Sequence, residues 1–174
     1  MQIRIIKVGS LQTNCYILIK NGLAIVIDPG DQFYSIEHQI ADNKLVAILI
    51  THRHPDHIGA LDQFVREYNV DVYDRSNLEE KKYDIEGFKF EVIYTPGHTT
   101  DSICFNFYEY NFMFVGDFIF KGTIGRTDLP TGSDIEMKNS IEKIKEYSDR
   151  INIYSGHGDM SNLGVEKDSN PFFN

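Results

Sequence analysis

The chain has 174 residues, with 17 lysines and arginines against 26 aspartates and glutamates, for a formal charge of −9. That length is about one domain's worth and enough to bury a core of its own. The acidic balance opposes a phosphate backbone, and no apolar run approaches the ~18 residues of a membrane span, so neither nucleic acid nor a membrane is an expected partner. The opening Met1–Lys7 segment carries Arg4 and Lys7 and is too short an apolar run for a signal peptide, which points to the cytoplasm. Cys15 and Cys104 stand far apart in alternating apolar segments; they read as reduced core residues, not as a disulfide framework or a cysteine-built zinc site.

Short β-rich runs, each closed by turn residues, open the chain: Ile3 to Val8, Cys15 to Ile19, Leu23 to Ile27 before Asp28-Pro29-Gly30, and Leu45 to Ile50. Helical spacing appears around Ile36 to Ala41, from Ile58 through Phe64 to Tyr68, and from Ile135 through Ile144 to Tyr147. The strand signal returns at Phe88 to Tyr94, Ile103 to Tyr108, Phe112 to Val115 and Ile151 to Tyr154, with Tyr110-Asn111 as a tight turn. The polar stretch Ser76 to Asp84 reads as a connection within one domain, because either half alone would leave a sheet face uncovered. Strands interleaved with helices suggest two mixed sheets packed face to face with helices outside, and a three-layer α/β sheet fits the same periodicity.

The strongest chemical feature is Thr51-His52-Arg53-His54-Pro55-Asp56-His57, placed directly after an apolar run and before an amphipathic helix. Alternate residues of an extended segment point the same way, so His52 and His54 can share one ion, while the turn into the helix redirects Asp56 and His57 toward a neighbouring position. His98, Asp117 and His157 each follow a separate strand-like run, at the sheet rim where sites are built. Glycines 97, 116, 156 and 158 beside them let the backbone turn sharply. Asp28 can close its Asp-Pro-Gly turn or support a histidine from behind. His38, between Glu37 and Gln39, reads as solvent-exposed.

With these motifs in view the chain resembles a metallo-β-lactamase-fold hydrolase, and within that superfamily it is similar to the hydroxyacylglutathione hydrolase (glyoxalase II) branch. The resemblance runs through Asn14-Cys15-Tyr16, Asp28-Pro29-Gly30, the His52 to His57 motif, Pro96-Gly97-His98-Thr99, Gly116-Asp117, Gly125-Arg126-Thr127-Asp128, Gly156-His157-Gly158 and Asn170-Pro171-Phe172. It implies an αββα sandwich of mixed sheets, a single hydrolase domain over 1–174, and two divalent metal ions at one edge. By the same match His52, His54 and His98 hold the first ion, Asp56, His57 and His157 the second, and Asp117 bridges them. Zinc is the expected metal, with iron or manganese also compatible with an all-nitrogen and oxygen shell.

Such a pair of ions brings a water's pKa from 15.7 toward ~7 and polarises a carbonyl. Asp56 takes a second, catalytic task in orienting the resulting hydroxide. Arg126 matches the place where the glyoxalase II branch uses a cation near substrate, against the alternative of a surface pair with Asp128; Lys121 is a second candidate. The expected substrate is a small thioester, S-lactoylglutathione or a related acyl thiol. The sequence ends without the helical domain that supplies further glutathione contacts in larger members, so glutathione recognition stays open, as does the oligomeric state. The alternatives are a mononuclear-iron persulfide dioxygenase, a lactonase with the same ligands, and a metal-stabilised binding module. A β-lactamase fits less well, because Asp117 stands where those enzymes carry Cys or Ser.

Overall fold

In the computed structural model, which describes residues 1–173, two sheets pack face to face with helices on both outer faces. The domain expected over 1–174 includes Asn174, which lies outside the described residues. The first half supplies β1 (Gln2–Val8), β2 (Thr13–Lys20), β3 (Leu23–Ile27), α1 (Phe33–Ile40), β4 (Lys44–Leu49), α2 (Pro55–Ile58), α3 (Leu61–Tyr68) and β5 (Val72–Tyr73). The second half supplies β6 (Lys82–Ile85), β7 (Phe88–Tyr94), β8 (Ile103–Phe107), β9 (Phe112–Gly116), β10 (Ile119–Phe120), β11 (Thr123–Ile124), α4 (Asp134–Lys145), β12 (Asn152–Ser155), β13 (Ser161–Asn162) and α5 (Leu163–Ser169).

The first sheet runs β1-β2-β3-β4-β5 and the second β13-β12-β9-β8-β7-β6. Both are mixed: β3-β4-β5 and β12-β9 are parallel, the other pairs antiparallel. Central strands buried on both faces read as continuous apolar runs, and side-chain alternation then sorts them into layers. Tyr16, Leu18, Ile25, Ile27 and Leu49 face Phe90, Phe105, Phe107 and Phe114 between the sheets. Their sequence neighbours Cys15, Ile17, Val26 and Ile48 point outward, under Phe33 and Ile36 of α1 and Phe64 of α3. On the other side Cys104, Met113 and Val115 pack under Met137, Ile141 and Ile144 of α4. Both cysteines are buried and free.

The expected αββα sandwich is therefore observed, with local departures. The continuous helix from Ile58 to Tyr68 is two helices, separated at Gly59 and Ala60. The polar stretch after Ser76 is only partly a connection, since Lys82–Ile85 pairs with β7 as an edge strand. Four chain segments end at the same rim: β4 leads into His52, β7 into His98, β9 into Asp117 and β12 into His157. No helix among the described residues is long and apolar enough to cross a membrane.

Candidate metal centre

At that rim the strand ends bring seven metal-capable side chains together, in three overlapping groups: His52 with His54 and His98, His52 with His57 and Asp117, and Asp56 with His57 and His157. His54 Nδ1 lies 3.1 Å from His52 Nε2 and 3.0 Å from His98 Nε2. On the other side Asp117 Oδ1 is 3.3 Å from His57 Nε2, and Asp117 Oδ2 is 3.5 Å from His157 Nε2 and 3.6 Å from His98 Nε2. Asp56 Oδ2 is 3.2 Å from His157 Nε2 and 3.6 Å from His57 Nε2. Asp117 thus stands between the two groups. His52, His57 and His98 are buried while His54, Asp56 and His157 are half-buried, so the cluster is walled behind and open in front.

The backs of the imidazoles are held. His57 Nδ1 is 2.9 Å from Asp28 Oδ2, and Asp28 in turn accepts from the Thr51 backbone N–H at 2.8 Å and its hydroxyl at 2.6 Å. Thr51 Oγ1 is 3.1 Å from His52 Nδ1. His98 Nδ1 lies 2.7 Å from the Arg126 carbonyl and His157 Nδ1 3.1 Å from the Leu11 carbonyl. A carbonyl can only accept, so each of these two rings carries its proton on Nδ1 and turns Nε2 into the cluster. Asp28 thus lies within hydrogen-bond distance of both His57 and Thr51, and His38 is exposed on α1. Thr51 and Thr13, whose hydroxyl donates to Asp56 Oδ2 at 2.8 Å, have roles that sequence reasoning missed. Thr51 adjoins the histidine motif and was open to suspicion; carbonyl acceptors carry no residue-type signal at all.

The arrangement fits a cation in its centre. Buried polar atoms are normally paired, yet His57 Nε2 and Asp117 Oδ1 lie 3.3 Å apart without making a hydrogen bond to each other or to any other described residue. Both point into the cluster, where an ion would satisfy them together. Space is kept by glycine: at Gly116, with φ +53°, an added Cβ would lie 2.4 Å from Thr51 Oγ1.

Electrostatics agree. Burial and the neighbouring His57 push His52 well down, and burial with His98 lowers His54, so these rings are neutral donors. Burial alone would also lower His57, but the Asp28 and Asp117 carboxylates outweigh it and raise it to about 10. Hydrogen bonds to Asp117 and Asp56 raise His157 to about 9. Asp56 is held well below the usual carboxylate range by His157, against the opposing effect of burial. Burial opposes ionisation of Asp117 too, and contacts with His157 and His57 override it.

Without metal, protons on His57 and His157 therefore occupy the place of positive charge, and an incoming ion must displace them. Zinc uptake at pH 7 is expected to release about one to two protons. Affinity should climb with pH as His157 deprotonates near 9 and His57 near 10. Calorimetry in two buffers of different ionisation enthalpy reads this directly; a buffer-independent, pH-independent heat would contradict it.

The Arg126 guanidinium forms a two-pronged pair with Asp128 at 2.7 Å on each prong. Lys121 borders a cleft of about 350 Å³ with Phe120, His157 and Gly158. A larger groove of about 700 Å³, lined by Ile124, Arg126, Met137 and Phe172 among others, has none of the candidate ligands in its wall.

The sequence profile of the metallo-beta-lactamase superfamily matches residues 8–80 and 73–157. The chain belongs to the metallo-β-lactamase superfamily. Among relatives of this metallo-hydrolase superfamily, it is 33% identical to the hydroxyacylglutathione hydrolase GloC of Haemophilus influenzae, over 100% of this chain and 99% of GloC. Among solved structures, the BLEG-1 B3 metallo-beta-lactamase superposes with a TM-score of 0.94 at 30% identity, over 99% of each chain. TTHA1623 in a di-iron-bound form superposes with a TM-score of 0.88 at 27% identity, over 97% of this chain and 99% of that one.

Proposed function

We propose that the chain is a binuclear metal-dependent hydrolase of a small acyl thioester, S-lactoylglutathione or a close relative, working in the cytoplasm without nucleic acid or membrane partners. The observation that carries this reading is the meeting of seven donors at one sheet rim, two of which, His57 and Asp117, point buried atoms into the cluster that make no hydrogen bond. His52, His54 and His98 would hold one divalent ion, Asp56, His57 and His157 the other, with Asp117 between them. Bound there, such ions supply an activated water near neutral pH and a Lewis acid for the thioester carbonyl. Zinc is the favoured occupant, with iron supported by the di-iron form of TTHA1623 and manganese compatible with the same donors.

The chain's own residues do the rest. Asp56, kept ionised and braced by Thr13, orients the attacking water by accepting its hydrogen bond; a carboxylate so acidic is a poor store for the proton itself. A thiolate leaves readily, so no strong general acid is needed behind it. The half-open front of the cluster separates this reading from a structural metal site, where the ligands close around the ion. Thioester chemistry is supported by the full-length similarity to GloC. The decisive test is a panel of thioester, lactone, persulfide and β-lactam substrates on protein loaded separately with zinc, iron and manganese. Thioester turnover with two ions bound supports the proposal; oxygen uptake with one iron, or no turnover of any substrate, defeats it.

For the substrate's charge, the geometry favours Lys121 over Arg126. Lys121 shares its cleft with His157 and lies 3.9 Å from Asp159 Oδ2, an exposed pair of the kind that yields easily. Arg126 already has its donors on Asp128. Lys121→Ala should raise KM severalfold for an anionic thioester and leave a neutral one unchanged, with a smaller effect from Arg126→Ala. Steady-state kinetics on a matched substrate pair checks it, and equal losses on both substrates would remove Lys121 from charge recognition.

A further inference from the structure

Four of the five clustered imidazoles are held from behind: His52 by Thr51, His57 by Asp28, His98 by the Arg126 carbonyl and His157 by the Leu11 carbonyl. His54 is different. It turns Nδ1 toward His52 and His98, and no hydrogen bond from the described residues reaches its Nε2. A ligand lacking that support needs its orientation from elsewhere, because an unrestrained imidazole loses affinity to side-chain rotation.

The residue beside it is tied down from two directions. Arg53 Nε donates to Asp74 Oδ2 at 2.8 Å, and its Nη2 reaches the same oxygen. Asp74 is buried just past β5, and its other oxygen, Oδ1, accepts from the Ser76 backbone N–H at 2.8 Å. The backbone N–H of Arg53 donates to Asp101 Oδ2 at 3.0 Å, three residues beyond His98 in the loop that carries it. Alternation along an extended segment turns Arg53 away from the face that His52 and His54 share. Pinning Arg53 therefore fixes that face.

We propose that Arg53 is the positioning residue of the His52, His54 and His98 group, a clamp joining the histidine segment to the end of β5 through Asp74 and to the His98 loop through Asp101. It touches neither substrate nor metal. Its contacts tie the segment bearing His52 and His54 to the loop bearing His98 and to the end of β5, and no hydrogen bond links Arg53, Asp74 or Asp101 to Asp56, His57 or His157 among the described residues. The effect of losing the clamp is accordingly confined to one of two metal positions. This rests on reading the cluster as a metal centre, and the test separates the two ideas.

Zinc is titrated into the full chain against a chromophoric chelator, for the wild type, Arg53→Ala, Arg53→Lys, His98→Ala and the Arg53→Ala, His98→Ala double variant. Arg53→Ala is expected to weaken one zinc by about 10- to 100-fold, the range for losing an outer partner of a ligand, and to leave the other unchanged. Arg53→Lys, which keeps the charge but not the two-pronged reach, recovers part of the loss. In the His98→Ala background, where this position is already crippled, Arg53→Ala adds nothing. Asp101→Ala gives a smaller loss of the same one-sided kind, and it serves as well if Arg53→Ala folds poorly. Unchanged affinities, equal weakening of both ions, or the same loss in the His98→Ala background would each overturn the clamp. A wild-type chain that takes up no zinc overturns the metal reading, and the clamp with it.

Discussion

Asp117→Ala is expected to abolish hydrolysis and to cut bound metal from two ions to one or none. Asp117 presents Oδ1 to His57 at 3.3 Å and Oδ2 to His157 at 3.5 Å and His98 at 3.6 Å, so one carboxylate meets donors of both proposed metal positions. Its carboxylate places negative charge between the His98 ring and the His57 and His157 rings. Without it, two divalent ions would face each other across a buried gap with less negative charge between them, and like charges in such surroundings repel strongly. The loss should therefore exceed the ~10- to 100-fold typical of removing an outer partner such as Asp28. Asp28→Asn supplies that comparison, since it alters the support of His57 and leaves all seven donors in place. Metal content and thioester turnover measured on both variants decide the matter. Two retained ions with unchanged turnover in Asp117→Ala would show that Asp117 does not bridge.

Much of this centre was legible in the sequence because its donors sit at the ends of strands. An apolar run, a turn glycine and then His or Asp is a pattern that survives without knowledge of pairing, and it located His98, Asp117 and His157 as well as the denser motif at His52. Layering was legible for a related reason: strands buried on both faces are continuous in their apolar character, so β2, β3, β8 and β9 announced themselves. Elements at the margin did not. Strand β6 is Lys82-Tyr83-Asp84-Ile85, an edge strand whose polar residues alternate with half-buried ones, and it passed for part of a connection. The β10-β11 hairpin has two residues per strand, below any periodic signal, and α5 is bracketed by polar residues and buries one apolar side chain, Leu163, beside the charged Glu166.

The direction of a long side chain was equally invisible. Arg126 matched a cation position by its place in a motif, but whether its guanidinium meets a substrate or Asp128 depends on geometry two residues away. Backbone carbonyls lie beyond any reading of residue types. The Arg126 segment holds His98 through its main chain, so this motif contributes to the centre by a route that side-chain chemistry does not suggest.

Gly156→Ala should be nearly as damaging as loss of a ligand, although it removes no donor. A Cβ at this position would lie 2.2 Å from Asp117 Oδ1 and 2.6 Å from His57 Cε1, both far inside van der Waals contact. The His57 ring cannot retreat cheaply. His57 is fixed through Nδ1 by Asp28, and the Gly156 N–H is itself bonded to the Gly116 carbonyl at 2.8 Å, which locks the strand end bearing His157 against the one bearing Asp117. Something must therefore shift, and the far end of the Asp117 side chain gives way more easily than the anchored His57 ring or the backbone. That movement separates Asp117 Oδ1 from His57 Nε2, the pair of orphaned atoms on which metal capture depends. Overpacking of this kind typically costs ~1–3 kcal/mol of stability, so the variant should still fold. Its metal affinity and turnover should collapse together while thermal unfolding of the metal-free protein moves modestly. Gly158→Ala is the control: no atom lies within 4 Å of its added Cβ, so its effect is confined to the strain of a φ of +74°. If Gly156→Ala binds two ions as tightly as Gly158→Ala does, the close approach of these strand ends is not what holds the centre together.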